Sequence, residues 1–430
     1  MTVFKNWSEI VQFTPQAIHK PQTEADLIAL VKQCHAEQRR IRVVGAGHSF
    51  TRLIETDDVL ISLEQLQGLI HADQTKLQAT VWAGTKIKAL GQLLANVNMA
   101  QPNLGDIDVQ SVAGAISTGT HGSGVTLGSL ATQVVELRLL TASGEIITCS
   151  ETEHPDIFKA AQVSLGLLGI ITQVTLQCVP AYTLDYQWYA SDLDAVLNNL
   201  EALKSNRNFE FFWLPHTEQT LVKVMNLTDE PAKPKSWLRW FNENIIENAA
   251  FWGFNVWARR FPHHSKRIAQ IVASLVSDGH DVTASHDTFA TVRLVKFNEM
   301  EYNIPAEHFV DCLREIKQCI TDHNIHVLFP IECRFVAADD IWLSPAYQRE
   351  AAYIAVHRFK GAPHEDYFEE METIFRKYNG RPHWGKLHTR TVDEMQVLYP
   401  QWDAFLAIRA QLDPDGLFVN DYLRPYILGR

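Results

Sequence analysis

Basic residues are in short supply in this chain. Its 38 Lys and Arg face 50 Asp and Glu, for a net charge of −12. A phosphate-backbone partner wants the opposite sign, which argues against a nucleic-acid-binding protein. A local anion site stays open, because net charge does not describe one pocket. Cysteine is sparse and unpatterned: Cys34, Cys149, Cys178, Cys312, Cys319 and Cys333 form no C-x-x-C pair. A chain of 430 residues does not need disulfide staples, so buried, reduced thiols are expected. No apolar run approaches the ~20 residues of a bilayer span. The first residues, Met1-Thr2-Val3-Phe4-Lys5-Asn6-Trp7, lack the charged-then-apolar pattern of a secretion signal. These absences lead to the expectation of a cytoplasmic protein without membrane association.

What is present is apolar material for more than one core: 46% of the residues are hydrophobic. Two domains of roughly 150–200 residues each are the natural prior. Thr23 with Asp26 three residues on reads as a capping box opening a helix within about 18–37, with Leu27, Ile28, Leu30, Val31 and Cys34 as its apolar stripe. Arg42-Val43-Val44, Asp58 to Leu63, Leu77 to Ala83 and Ile170 to Cys178 read as strands. Ile87 to Leu94 reads as a short helix, and Val134 to Cys149 as a hairpin turning at Ser143-Gly144. This irregular mixture is α+β and lacks the alternation of a doubly wound sheet. Pro180 marks a boundary. Beyond it the pattern predicts helices at about 191–204 and 306–321, and strands at Val292 to Lys296, His326 to Phe335 and Ala352 to His357. Aromatics crowd Trp237, Trp240, Phe241, Phe251, Trp252, Phe254, Trp257 and Phe261. A membrane-surface or partner-docking helix is one reading. A helix pair packed on the second domain is the favoured one, because core aromatics are commoner.

Three small-residue segments carry the chemistry. Val44-Gly45-Ala46-Gly47-His48-Ser49 follows a strand, but Phe50 stands where a dinucleotide fingerprint needs its third glycine, and no helix follows. A nicotinamide-binding turn is disfavoured. What remains is a tight loop of backbone N–H groups, a nest able to grip a pyrophosphate. Ser111-Val112-Ala113-Gly114-Ala115-Ile116-Ser117-Thr118-Gly119-Thr120-His121-Gly122 is dense in glycine and hydroxyls, as close backbone approach to a ligand requires. Gly166-Leu167-Leu168-Gly169-Ile170-Ile171 is the third. Together they suggest one large, extended cofactor.

On these loops, with Pro21-Gln22-Thr23-Glu24-Ala25-Asp26, His383-Trp384-Gly385-Lys386 and Asp413-Pro414-Asp415-Gly416-Leu417-Phe418-Val419-Asn420, the whole chain resembles the vanillyl-alcohol oxidase/p-cresol methylhydroxylase superfamily. Within it the chain is similar to the sugar-1,4-lactone and alditol oxidases. The resemblance implies a two-subdomain FAD-binding (PCMH-type) domain over 1–178 and an α+β substrate (cap) domain on an antiparallel sheet over 179–390. Segment 391–430 would return to the FAD domain. It implies FAD held by Val44 to Ser49, Ser111, Gly114, Ser117, Thr118, Gly119, Thr120, His121, Gly169, Ile171, Lys386 and Asn420, and joined covalently to His48. Gly105 matches a small gatekeeper whose replacement by alanine is linked to poor oxygen reactivity. Asp106 departs from the serine of the alditol oxidases and is expected at the substrate.

Flavin oxidation of an alcohol needs a C–H aimed at the flavin, an acceptor for the hydroxyl proton and polar anchors. Glu332 and Arg334 are two apart on a strand and share a face. Alone they would read as a surface ion pair of little worth. The resemblance places them in the substrate pocket, with His357 and Lys386 completing the catalytic set. The base is His357 or Lys386. His383, His388 and His263-His264 lack a third ligand at a metal spacing, so no metal is expected. The implied reaction converts an alcohol of an L-gulono-, L-galactono- or D-arabinono-1,4-lactone to a carbonyl, with O2 reduced to hydrogen peroxide. Alternatives are an alditol substrate, or a cytochrome or quinone acceptor.

Overall fold

The computed structural model describes residues 2–233, 247–290 and 293–429. After a short antiparallel pair, Phe4–Lys5 with Gln12–Phe13, the chain forms β1 (Ala17–His19) and helix α1 (Glu24–Ala36). The Thr23 hydroxyl accepts from the Asp26 amide and the Asp26 carboxylate accepts from the Thr23 amide, closing the expected capping box. Leu27, Val31 and Cys34 form the helix's buried stripe. Strands β2 (Ile41–Val44) and β3 (Val59–Ser62) complete a parallel three-stranded sheet with β3 in the middle. Every residue of β3 is buried, as a strand covered on both faces requires.

Next come β4 (Leu69–Asp73), β5 (Gln78–Trp82) and helix α2 (Ile87–Ala95). The second small-residue segment is not all loop: Val112–Ser117 forms a short helix, α3, capped by the Ser111 hydroxyl. Strands β6 (Val134–Leu140), β7 (Ile146–Ser150) and β8 (Ile170–Gln177) follow, and β4 to β8 make an antiparallel sheet in the order β7-β6-β8-β5-β4. The β6–β7 turn falls at Ser143-Gly144, with Gly144 at φ +79°.

A larger sheet occupies the second half. Its strands are β9 (Thr183–Asp192), β10 (Asn208–Trp213), β11 (Gln219–Thr228), β12 (Gly279–Ala284), β13 (Phe297–Pro305), β14 (Ile331–Val336), β15 (Ala351–Phe359) and β16 (Arg381–Pro382). All pairings are antiparallel, in the order β12-β9-β11-β10-β14-β15-β13-β16. The period-two alternation gives it two unlike faces. Phe209, Phe211, Met300, Tyr302, Ile304, Ile331, Cys333, Ile354 and Val356 point one way and join one apolar core with Phe309, Leu313 and Ile316 and with Phe368, Met371 and Phe375. Those residues lie on helices α5 (Phe309–Asp322) and α6 (Glu365–Lys377), which follow α4 (Glu247–Arg260) in the chain. The opposite face carries Glu210, Lys223, Glu299, Glu301, Glu332, Arg334 and His357.

A separate core joins α1, α2 and the first two sheets to Trp402, Phe405 and Leu412 of α7 (Trp402–Leu412) and to Leu417, Phe418 and Val419. The Ile41 amide donates to Leu417 O (2.8 Å), and the buried Arg42 guanidinium donates to the carbonyls of Leu165, Gly166 and Phe418.

Several elements differ from the sequence pattern. The helix expected over 191–204 is two pieces, Leu193–Asn198 and Leu200–Lys204, with Asn199 as C-cap of one and N-cap of the other. The strand expected from His326 begins only at Ile331. Of the strand expected over Val292 to Lys296, Val292 lies outside the described residues. Residues 293–296 are not strand, and pairing starts at Phe297, where a residue opposite β15 first exists. In the aromatic stretch, Trp237, Trp240 and Phe241 lie outside the described residues. Phe251 packs edge-on against Phe329 (4.9 Å), whereas Trp252, Trp257 and Phe261 are exposed, so packing accounts for only part of the segment. The six thiols are free, and all but Cys319 are buried. Among the described residues no helix is long and apolar enough to cross a membrane.

Candidate active site

The three small-residue segments converge on one cleft of about 1030 Å³. That figure counts the open space of the cleft, and its reach along three separate loops suits an extended ligand. Val44 to Ser49, Ser111, Gly114, Ser117, Thr118, Gly169 and Ile171 all line it. Among the described residues, the N–H groups of Gly45, Ala46, Gly47, His48 and Ser49 donate to no protein acceptor. Consecutive amides left this way, here on residues half-buried except for the exposed Gly45, form an anion nest. Gly47 holds the turn at φ +68°. A Cβ on Gly45 would stand 2.3 Å from Ser111 Oγ, so glycine there lets the first loop pack on the second. These features fit an FAD: unpaired amides for its pyrophosphate, and apolar walls for its rings.

His48 lines the cleft and stacks on Trp7 at 5.5 Å. Burial, then the positive charges of Lys386 and Lys86, push its imidazole down to about 4, so it is neutral at pH 7. Lys86 lines the same cleft and was not singled out by the sequence, because a lone lysine at a helix start carries no pattern.

Five of the residues assigned to the cofactor do not line the cleft. Gly119 and Thr120 lie beyond the end of α3, and the Thr120 hydroxyl accepts from Gln110. Asn420 is turned inward: its amide donates to the carbonyls of Arg52, Leu53 and Glu55, and its oxygen accepts from the Leu423 amide. It clamps the segment after the first loop. His121 and Lys386 face the charged side of the large sheet.

On that side β-ladder register sets the spacing. Glu210 lies opposite Arg334, Glu332 opposite Ala355, Arg334 opposite Tyr353, and Glu299 opposite His357. Arg334 pairs with Glu332, with Glu210 at 2.9 Å and with Asp106 at 3.2 Å. Asp106 also pairs with Arg293. Lys386 Nζ stands 2.5 Å from Glu299 and 4.0 Å from Glu301. His357 Nε2 lies 3.5 Å from Glu299 and 4.0 Å from Glu332. All these carboxylates except the half-buried Asp106 are buried, and so are Arg334 and His357. Burial would raise the Glu299 carboxyl, but the Lys386 charge and then the His357 ring beside it override that and hold it at about 2. Glu301 is likewise held low against burial, chiefly by His121. The predicted set Asp106, Glu332, Arg334, His357 and Lys386 is thus brought together. Glu210, Lys223, Glu299, Glu301 and Arg293 join it unforeseen. The alternation Phe297-Asn298-Glu299-Met300-Glu301 was a usable signal, but buried acids run against the default reading of a Glu-x-Glu strand.

His121, Glu301 and His383 approach one another closely enough to hold a metal ion, as do Cys319, His323 and Glu370. In the first group the chemistry opposes it. His383 Nδ1 accepts from the Gly385 amide (3.0 Å), which places the proton of the neutral ring on Nε2. The Lys386 ammonium already supplies a cation to Glu301. The two halves of the site are joined where the Phe50 amide donates to Gly385 O (2.7 Å), bringing the His48 loop against the Lys386 loop.

The sequence profile of the D-arabinono-1,4-lactone oxidase family matches residues 174–426, and that of an FAD binding domain matches 15–150. An L-gulono-1,4-lactone dehydrogenase of Mycobacterium tuberculosis is 41% identical over 424 residues, 98% of each chain. An L-gulonolactone oxidase of Bos taurus is 35% identical over 429 residues, 98% of this chain and 97% of that one. Among solved structures, cholesterol oxidase from B. sterolicum superposes with a TM-score of 0.83 at 19% identity, covering 99% of this chain and 96% of that one; at that identity the likeness speaks for the fold. With its FAD-binding domain ahead of it and its second half matched end to end, this chain belongs to the D-arabinono-1,4-lactone oxidase family.

Proposed function

We propose that the protein oxidises an alcohol of a sugar-1,4-lactone to a carbonyl, with FAD as the electron acceptor in the site and O2 as the final oxidant. The observation that carries this is the junction at Phe50 and Gly385, which sets a nest of unpaired amides beside a buried, charged sheet face. Residues 1–178 and 391–430 form the cofactor unit in this reading, and 179–390 the substrate unit. Val44 to Ser49 and the Ser111 to Thr118 segment hold the cofactor. His48, neutral and lining the cleft, has the free lone pair needed to bond the flavin's 8α-methyl carbon. The bound flavin supplies a two-electron acceptor for the substrate C–H.

The protein's own groups do the rest. Arg334, kept charged by Glu332, Glu210 and Asp106, offers fixed donors to substrate hydroxyl or carbonyl oxygens. Glu332 and Asp106 accept from hydroxyls. Lys386 places a positive charge on the side nearest His48, where it stabilises negative charge that develops on reduction. Gly105, which the resemblance matches to a small gatekeeper, leaves little room for a larger residue: a Cβ there would stand 3.0 Å from the His121 carbonyl. A small residue there favours oxygen, although the relatives carry both oxidase and dehydrogenase names.

The test is anaerobic reduction of the purified yellow protein by L-gulono-, L-galactono- and D-arabinono-1,4-lactones and by alditols, followed by air. A lactone should bleach the flavin, and air should restore it with peroxide. If no lactone reduces it, the substrate reading is wrong; if air reoxidises it too slowly for turnover, the acceptor is a cytochrome or quinone.

A further inference from the structure

We infer that Glu299 is a positioning residue that divides the work between the two candidate proton acceptors, an inference that rests on the lactone oxidation proposed above. Its carboxylate stands between them, Oε2 2.5 Å from Lys386 Nζ and Oε1 3.5 Å from His357 Nε2. Its place comes from the backbone, because Glu299 and His357 are opposite residues of the β13–β15 ladder. It does not depend on a chance rotamer of a long side chain.

The two partners are prepared in opposite ways. Lys386 touches one buried carboxylate and lies 4.0 Å from a second, Glu301. With its hydrogens turned towards those carboxylate oxygens, the ammonium presents donors and no lone pair. His357 Nδ1 faces the Pro330 carbonyl at 3.1 Å. A carbonyl only accepts, so Nδ1 carries the hydrogen and Nε2 presents its lone pair. Nε2 is buried and without a hydrogen bond among the described residues. Around it stand Glu299 on β13, Glu332 on β14, and the rings of Phe297 and Phe329. The nearby Arg334 charge is answered by Glu332, Glu210 and Asp106. A proton arriving at Nε2 therefore meets two anions and an apolar wall.

The substrate O–H breaks and its proton goes to His357 Nε2. The C–H breaks as the carbonyl π bond forms from the oxygen's electrons, and a bound flavin would take up that hydrogen together with its bonding pair. Glu299 takes no proton; it stabilises the imidazolium and holds Lys386 in place. This is the role a carboxylate plays beside a catalytic histidine.

Glu299→Gln, nearly isosteric, tests it. With the substrate at saturation kcat should fall on the order of 10- to 100-fold, with KM changed less. The acid limb of kcat/KM should move to lower pH, because the imidazolium loses an anion. Glu299→Asp should return the limb towards its original position without restoring the full rate. In a His357→Asn background, Glu299→Gln should add little. NMR titration of the His357 ring in the resting holoenzyme should show the same displacement without turnover. That arm stays decisive even if no lactone proves to be a substrate, so the two readings fail separately. Bound-flavin absorbance checks folding, and if Glu299→Gln does not retain flavin, Glu299→Asp and His357→Asn carry the comparison. An acid limb and ring titration unmoved by Glu299→Gln would overturn the inference. So would a limb that persists in His357→Asn and vanishes in Lys386→Met.

Discussion

The cofactor cleft and the charged sheet face meet where the Phe50 amide and the Thr51 hydroxyl donate to the carbonyls of Gly385 and Trp384, yet they are made by opposite means. The cleft is built from what side chains leave out. Glycine, alanine and serine in contiguous loops bare their amides and let two loops touch. The sheet face is built from what side chains bring: charged and titratable groups from five strands and three loops, answering one another away from water. The cleft tolerates changes of charge but not of bulk. The sheet face tolerates changes of bulk but not the removal of one sign. Substitutions on each side should separate these two sensitivities.

The largest effect is expected at Arg334. Arg334→Ala leaves Glu210, Glu332 and Asp106 without their shared cation. Breaking a buried pair in this way costs about 3–5 kcal/mol. Denaturant unfolding should show that loss, with lactone oxidation gone as well; a near-normal midpoint would mean that water already reaches the cluster. On the other side, Gly45→Leu should yield folded but nearly colourless protein. Its side chain enters the space of Ser111 Oγ, and over-packing of this kind costs about 1–3 kcal/mol. The absorbance ratio of flavin to protein reads it directly. A smaller effect is expected at Asn420, which holds the segment after the first loop through carbonyls of Arg52, Leu53 and Glu55. Asn420→Ala leaves buried carbonyls short of a donor, a loss of about 1–3 kcal/mol. It should appear as a lower melting temperature with flavin still bound, because Asn420 does not line the cleft.

The same contrast explains what could be read in advance. The cleft was legible because its determinants are local: Gly45 to Ser49 lie side by side in sequence as they do in space, and Ser111 to Thr118 carry their own cap. α1 was legible for the same reason, through Thr23 and Asp26. The sheet face was legible only in part. Glu332 and Arg334 share a strand, but Glu210, Lys223, Glu299 and Glu301 join their face only through register between strands far apart in sequence. Period-two alternation says that Glu299 and Glu301 share a face; nothing local says that the face is buried. Asn420 misled for a related reason. A motif can mark a position as important without saying whether its side chain meets the ligand or the chain.

The finest comparison concerns His48, where the two regions act on one ring. Burial in the cleft, then Lys386 from the charged side and Lys86 from the cleft, bring its imidazole down to about 4. A histidine depressed in this way favours the folded state fully above its ordinary value of 6.5, and that contribution is lost as the pH falls from 6.5 through about 4. Attack on the 8α-methyl carbon needs the unprotonated ring. At pH 6 an ordinary imidazole is about three-quarters protonated, whereas His48 is almost wholly free. Flavin-free protein mixed with FAD should therefore form the covalent link almost as fast at pH 6 as at pH 8, and lose it only towards pH 4. Acid-denatured samples, scored for fluorescence that co-migrates with the polypeptide, give the yield. His48→Ala should bind FAD yet release all of it on denaturation. Lys86→Met, which removes the last and weakest of the three causes, should move the pH profile only slightly upward. A profile already falling at pH 6.5 would show that the ring is solvated and that neither the cleft nor the charged face acts on it.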